Sequence, residues 1–279
     1  MNLDNNLSVA ILLATYNSQN YLEELLNSII CQDHKDWILY IRDDGSSDDT
    51  LLIVDKYVKN YSNIVLLFDS VRGRGSKNSF LWMLKHVDSE YYMFCDHDDI
   101  WLNEKISKTY QKMTEVEKSN INVPVIIHTD LIVVDEKLNE ISPSFWKYSN
   151  IKPFYSSFNY YSAYNNVTGC TMMFNNAAKN ISLDICPDAP MHDLWLAMVV
   201  SLNNGIIKYI SEPLILYRQH GKNVLGAQKH PNVLDRLFIF RKVLESNKKL
   251  YRTVNFLKKT SYCKFIYNKI YFFLKNRSK

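Results

Sequence analysis

Residues 8–17, SVAILLATYN, run through six apolar positions and then stop on three polar ones. An apolar run without alternation fits a strand covered on both faces, the situation of strands in a parallel sheet. SQNYLEELLNSIICQ comes next, in which Leu22, Leu25, Leu26, Ile29 and Ile30 recur at the 3.6-residue period of an amphipathic helix. The pair then repeats. WILYI (37–41) precedes a helical pattern from about Asp48, NIVLLF (63–68) precedes NSFLWMLKHV (78–87), and YYMFC (91–95) precedes a helix expected over 103–116. Strands alternating with helices over short connections predict βαβ units, hence an α/β fold with a mostly parallel, Rossmann-like sheet flanked by helices.

In such sheets ligands bind in the crevice beyond the carboxyl ends of the strands. TYN (15–17) ends strand one, RDDGSSDD (42–49) ends strand two and DHDD (96–99) ends strand four, so three polar clusters fall on one edge. A lone D-x-D is also what a solvated acidic turn looks like, but three clusters at one edge favour a single site. Asp96, Asp98 and Asp99 repel one another at this spacing, and a divalent cation would relieve them. GRGSKNS (73–79) offers backbone amides, Lys77 and Asn78 at a helix start, a setting that suits a phosphate, although it matches neither G-x-G-x-x-G nor the P-loop. Carboxylates and phosphate-seeking groups in one crevice point to Mg²⁺ or Mn²⁺ shared between protein and substrate oxygens. Zinc lacks a suitable cysteine–histidine spacing.

With 279 residues, 47% hydrophobic and 22% charged, the chain is read as one large domain or a domain with an appendage. The N-terminus has no basic segment before its short apolar run, unlike a signal peptide, and no apolar stretch is long enough to span a membrane. Five scattered cysteines without a C-x-x-C spacing read as reduced thiols, so the expected location is cytoplasmic. Charge divides the chain in two. Residues 222–279 hold 15 Lys and Arg against two acids, a net +13, while residues 1–221 hold 18 against 27, a net −9. The reading is a body over 1–221 and a basic, aromatic, helical extension over 222–279.

ATYNSQNYLEELLNSIICQ, IRDDGSSDDT, FCDHDDIW, NVTGCTMMFN, MHDLWLAM and YRQHGKNVLG, in this order over residues 7–226, resemble a family 2 glycosyltransferase of the GT-A fold. The similarity is to the bacterial rhamnosyltransferase-like enzymes of surface-polysaccharide synthesis. The resemblance implies that Thr15, Tyr16, Asn17, Asp43 and Asp44 bracket the base and ribose of a UDP- or dTDP-sugar. It implies Asp96 near the ribose or metal, Asp98 as the main metal ligand, and Asp193 as the general base. It also implies His220 at the metal and Arg218 at the metal or diphosphate. Three positions depart from the family pattern. Ala14 stands where proline is common, His192 where glutamate often precedes the base, and the Q-x-x-R-W motif of processive members is missing. The expected activity is a single sugar addition to a saccharide or lipid-linked acceptor in capsule, O-antigen or cell-wall synthesis. A nucleotidyltransferase and a non-catalytic nucleotide-sugar-binding module are the rivals; the first should carry a phosphate loop after strand one, and the second has no need of Asp193.

Other polar residues have plainer readings. His97 is read as a solvated loop position, Asp99 as a cap of the next turn, Ile100 and Trp101 as packing at a helix entry, and His192 as a support for the base. Trp195 is either core or an acceptor contact, and His220 has a second reading as a structural hydrogen-bonding histidine. The basic tail reads as helices packed on the body or on a second copy of the chain, or as a basic amphipathic surface for anionic membranes on the inner face of the cell membrane. No recognised nucleic-acid module is present.

Overall fold

The computed structural model describes residues 8–220 and 233–277; the boundary between body and tail after residue 221 lies outside them. The first half has the expected alternation: β1 (Val9–Thr15), α1 (Leu22–Ile30), β2 (Trp37–Asp43), α2 (Thr50–Asn60), β3 (Ile64–Leu66), α3 (Gly75–His86) and β4 (Tyr91–Cys95). β3, β2, β1 and β4 lie side by side and parallel. Along β1, Ala10 and Leu12 face one core and Val9, Ile11 and Leu13 the other, all buried. Cover on both faces is why this strand carries no polar alternation.

The register sets the site. Thr15 lies beside Asp43, and Leu13 beside Cys95, so the residues after β2 and β4 emerge together at the carboxyl edge. β5 (Ile100–Trp101) comes at once, then α4 (Lys105–Glu117). Ile100 and Trp101 are therefore a short strand, not a helix entry.

The second half extends the sheet: β6 (Val125–Val134), β7 (Glu140–Ser142), α5 (Phe145–Tyr148), α6 (Phe158–Tyr161), a 3₁₀ turn (Gly169–Thr171), β8 (Met173–Asn175), α7 (Asn176–Ser182), α8 (His192–Leu202) and β9 (Ile206–Arg218). The strand order is β3-β2-β1-β4-β8-β6-β9-β5, with β7 on β6. β8 runs antiparallel to β4 and β6, β9 parallel to β6, and β5 antiparallel to β9. Pairing of Ile100 with Leu216 brings the end of β9 to the residues just before β5.

α9 (Val233–Leu257) and α10 (Tyr262–Arg277) pack on the body. Leu250, Val254, Phe265 and Phe272 join the core cluster that contains Phe80 and Phe94, and Asn268 Nδ2 donates to Ser162 Oγ at 3.0 Å. α10 buries Phe265, Asn268 and Phe272, at i, i+3 and i+7. On the opposite side Tyr267, Ile270, Tyr271 and Leu274 form a second, exposed apolar stripe, a pattern that a singly packed helix does not need. No helix among the described residues is long and apolar enough to cross a membrane.

Candidate active site

The chain leaves β4 through Asp96, His97, Asp98 and Asp99 and re-enters the sheet at β5, so all four side chains are held between two strands. His220 Nε2 lies 2.9 Å from Asp98 Oδ2, across 122 positions of sequence. Arg218 donates from its backbone amide to Asp99 Oδ1 at 3.4 Å and from Nε to the Asp98 carbonyl at 3.0 Å. Asp96, Asp99 and Cys170 each bring a ligand-type atom to within 4.8 Å of the others. Burial, then the charges of Asp98 and Asp193, push the Asp96 carboxyl up to about 7. Asp99 is fully buried and its carboxyl is raised by that burial and by Asp98 and Asp96, while Oδ2 has no hydrogen-bond partner. Beneath the cluster, Lys105 is fully buried with its Nζ 3.3 Å from the centre of the Trp101 ring, and burial lowers its ammonium to about 7.

Asp193 enters from α8, in the first turn, where a helix N-terminus favours a negative charge. Leu194 N–H donates to Oδ1 at 2.6 Å and Asn165 Nδ2 to Oδ2 at 3.2 Å. Burial nevertheless wins and pushes this carboxyl up to about 6. The preceding His192 is buried between the rings of Phe80 (4.4 Å) and Phe94 (4.5 Å), neither ring nitrogen has a partner, and burial lowers its pKa to about 3. It packs as a neutral ring behind the base. Gly169 fits against it: a Cβ there would sit 2.8 Å from His192 Nε2 and 3.6 Å from Asp193 Cβ.

At the other end of the edge, Asp43 takes the Thr15 hydroxyl on Oδ1 at 3.0 Å and the amides of Gly45 and Ser46 on Oδ2. Asp44 accepts from Arg42 Nη1 (2.8 Å) and from the amides of Arg74 (2.9 Å) and Gly75 (2.8 Å). Burial raises its carboxyl, but Arg42 and those two amides outweigh it and hold it below the ordinary range. The start of α3, offered by sequence to a phosphate, is thus occupied by Asp44. Thr15 is buried behind Asp43, whereas Tyr16 and Asn17 are open to solvent.

Several expected ligands sit elsewhere. Lys77 Nζ donates to the carbonyls of Ala189 (2.9 Å) and Pro187 (3.4 Å), tying down the loop before α8. Asn78 is exposed and bonds back to the Arg74 carbonyl of its own helix. Trp195 is buried against Cys186, Ala189 and Val199, with Nε1 on the Ser182 carbonyl; it is core, not an acceptor contact. Arg218 is buried and committed to Glu24, Glu136 and Asp98, so its guanidinium supports the site from behind rather than meeting a diphosphate. Asp99 caps no turn. His97 is half-buried, not solvated, and burial lowers its pKa. Sequence reasoning does not single out Asn165, Gly169, Cys170, Lys105 or Tyr21. Gly169 and Cys170 lie within the NVTGC segment, which is the one signal that points near them. A cavity of about 630 Å³ lined by Asp130, Trp146, Lys147 and Lys152, among others, shares no residue with this cluster.

The half-parallel sheet with helices around it is the GT-A fold of nucleotide-sugar transferases. Solved structures bear out the fold. Staphylococcus aureus TarS 1–349 in complex with UDP-GlcNAc matches 87% of this chain and 69% of its own at TM-score 0.60 and 19% identity. The mannosyltransferase PcManGT from Pyrobaculum calidifontis, in complex with GDP-Man and Mn²⁺, matches 96% and 70% at 0.57 and 15%. Residues 10–182 match the glycosyl transferase family 2 model, and the chain belongs to that family. It is 29% identical over 233 residues to the dTDP-rhamnosyl transferase RfbG of Shigella flexneri, covering 77% of this chain and 74% of the relative. It is 28% identical over 128 residues to the putative glycosyltransferase EpsE of Bacillus subtilis, where it spans less than half (44%) of the relative. A second structure of Staphylococcus aureus TarS 1–349 matches 76% of this chain, which spans 60% of that one, at TM-score 0.58 and 21% identity.

The closeness of Gly169 to His192 yields a prediction. Gly169→Ala should push against the aromatic-locked imidazole of His192, at a cost of about 1–3 kcal/mol, the usual range for overpacking, while its approach to Asp193 is an ordinary contact. Urea unfolding measures the loss, and an unchanged midpoint would show that the pocket gives way freely.

Proposed function

We propose that the chain is a metal-dependent, inverting, non-processive glycosyltransferase that moves a sugar from a UDP- or dTDP-sugar to a saccharide or lipid-linked acceptor in surface-polysaccharide synthesis. The observation that carries this is Asp193, a carboxyl pushed up to about 6 and close enough to raise Asp96 in turn. Paired aspartates alone suit any nucleotide-sugar binder; a third, separately delivered carboxylate suits proton removal. The dTDP-rhamnosyl transferase relative and the UDP-GlcNAc complex of TarS support the donor class.

The residues fit Mn²⁺ or Mg²⁺. Asp96 and Asp98 offer carboxylate oxygens and His220 an imidazole, and beside them the buried Asp99 Oδ2 is a polar atom without a hydrogen-bond partner. When bound, the ion supplies Lewis-acid neutralisation of charge on the departing diphosphate. Asp193 then has one task, to accept the proton of the acceptor hydroxyl as it attacks the anomeric carbon opposite the leaving group. Such a base contributes about 10²–10⁴-fold in rate. Amide and Asn165 bonds fix its position, while burial keeps its affinity for a proton near the working range.

The test is a thermal-shift panel of nucleotide sugars, each run with Mn²⁺, Mg²⁺ or EDTA. A native-state ligand raises the melting temperature by mass action without an acceptor. A metal-dependent shift with one UDP- or dTDP-sugar, lost in Asp98→Asn, is expected; no shift with any donor would leave a fold without this function.

With donor and metal saturating, turnover should rise with pH through about 6 and level off above it, because the working form of Asp193 is the deprotonated one. Asp193→Asn should lower turnover by about 10²–10⁴-fold and erase that limb while preserving the donor shift. A folded, fully active variant would remove Asp193 from the chemistry, whereas a wild type that binds donor but never turns it over would return the non-catalytic binding module.

The outer stripe of α10 and the surrounding lysines support an anionic membrane surface as the place where the acceptor is met. The 279-residue chain should float with phosphatidylglycerol vesicles and not with neutral ones, and Ile270→Glu with Leu274→Glu should abolish flotation without changing the circular dichroism. Equal flotation of the double variant would refute the membrane reading.

A further inference from the structure

His220 lies two residues beyond the end of β9, where no strand pairing fixes it, yet its ring must keep Nε2 on Asp98. Tyr21, at the start of α1, is one of the groups that orient it. The Tyr21 ring stacks on His220 with centres 4.9 Å apart and planes 28° from parallel, and the same ring takes the Arg218 guanidinium carbon at 4.7 Å. Tyr21 is itself anchored at its rim: the hydroxyl donates to Glu136 Oε1 at 2.7 Å, and Arg218 Nη1 donates to the carbonyl of that same Glu136 at 2.8 Å. Three residues along α1, Glu24 receives Arg218 Nη2. Arg218 Nε in turn holds the Asp98 carbonyl at 3.0 Å. Both halves of the Asp98–His220 pair therefore hang on one unit, His220 through its ring face and Asp98 through its main chain. An aromatic ring at a sugar site invites the reading of a substrate platform, but here the hydroxyl and the ring are already engaged by protein groups.

We propose that Tyr21 is a positioning residue for the divalent cation, its ring being the plate that sets the His220 imidazole beside Asp98. The inference rests on the metal reading given above. It makes α1, which carries none of the ligands, part of what determines metal affinity. A flat ring at position 21 is the requirement; the hydroxyl tether to the exposed Glu136 is secondary.

The test is a Mn²⁺ titration of the full chain, without nucleotide, following the electron paramagnetic resonance signal of free Mn²⁺. Wild type, Tyr21→Phe, Tyr21→Leu and Asp98→Asn are compared, each normalised to its folded fraction by circular dichroism. Tyr21→Leu keeps apolar bulk but loses the plate and should weaken Mn²⁺ binding about 10-fold or more, the scale on which groups that orient metal ligands act. Tyr21→Phe keeps the plate and should bind as wild type does. A folded Tyr21→Leu with wild-type affinity would overturn the positioning role alone. Loss in Tyr21→Phe equal to that in Tyr21→Leu would overturn the plate in favour of the hydroxyl tether. Wild type binding no better than Asp98→Asn would remove the metal site, and this inference with it.

Discussion

Negative charge confined at the end of β4 is the constraint around which this molecule is arranged. Asp96, Asp98, Asp99 and Asp193 share a poorly solvated volume, where the charges of Asp98 and Asp193 raise the proton affinity of Asp96, and those of Asp98 and Asp96 that of Asp99. Burying such charges is costly unless partners are supplied, and the partners come from distant elements. β9 brings His220 and the Arg218 amide, α4 places Lys105 underneath, and the α8 N-terminus with Asn165 holds Asp193. The compensation is incomplete: burial and neighbouring charge raise the Asp96 and Asp99 carboxyls and Asp99 Oδ2 has no hydrogen-bond partner, a demand that a cation would meet.

Such a cluster needs a rigid edge. Double-sided burial of β1 supplies it, and the loops beyond the edge are stiffened by charge of their own. Arg42, fully buried, donates to Asp44, Asp69, Ser79 and the Val71 carbonyl, and Asp44 closes the start of α3. Asp43 does the same for the turn after β2, taking Thr15, Gly45 and Ser46 at once. Carboxylates that read as ligands from sequence thus also build the walls of the crevice. The tail contributes to the same rigidity from outside, since Phe265 and Phe272 complete the core on which α6 and α8 rest, and Ser162 of α6's C-cap bonds Asn268.

The four parallel strands and the polar edge are legible in the sequence because period and burial are local properties. An unbroken run such as 9–14 can only be satisfied between two layers, and the polar residues after it must then lie at the strand's end. Asp96, Asp98 and Asp193 are singled out through the resemblance, and in the structure the charges of Asp98 and Asp193 both act on Asp96. Lys77, Arg218 and Trp195 mislead for a common reason. A basic or aromatic residue near a site looks the same in sequence whether it faces the ligand or the interior, and here an apolar shell at Trp195 and carbonyls at Lys77 and Arg218 lie within reach. Tyr21 escapes sequence reasoning because nothing in an amphipathic helix start marks a ring that will meet an imidazole from the far end of the domain.

The sequence by itself determined the order of the first four strands and their helices, the edge on which the polar clusters fall and the split between an acidic body and a basic tail. Each of these depends on neighbours within about one helical or strand repeat. Only the tertiary structure decided which charge answers which. The Asp98–His220 contact spans 122 positions and the Arg218–Glu24 contact 194, and they exist because β5 pairs antiparallel with β9. That pairing is a property of the assembled sheet, so no local pattern encodes it.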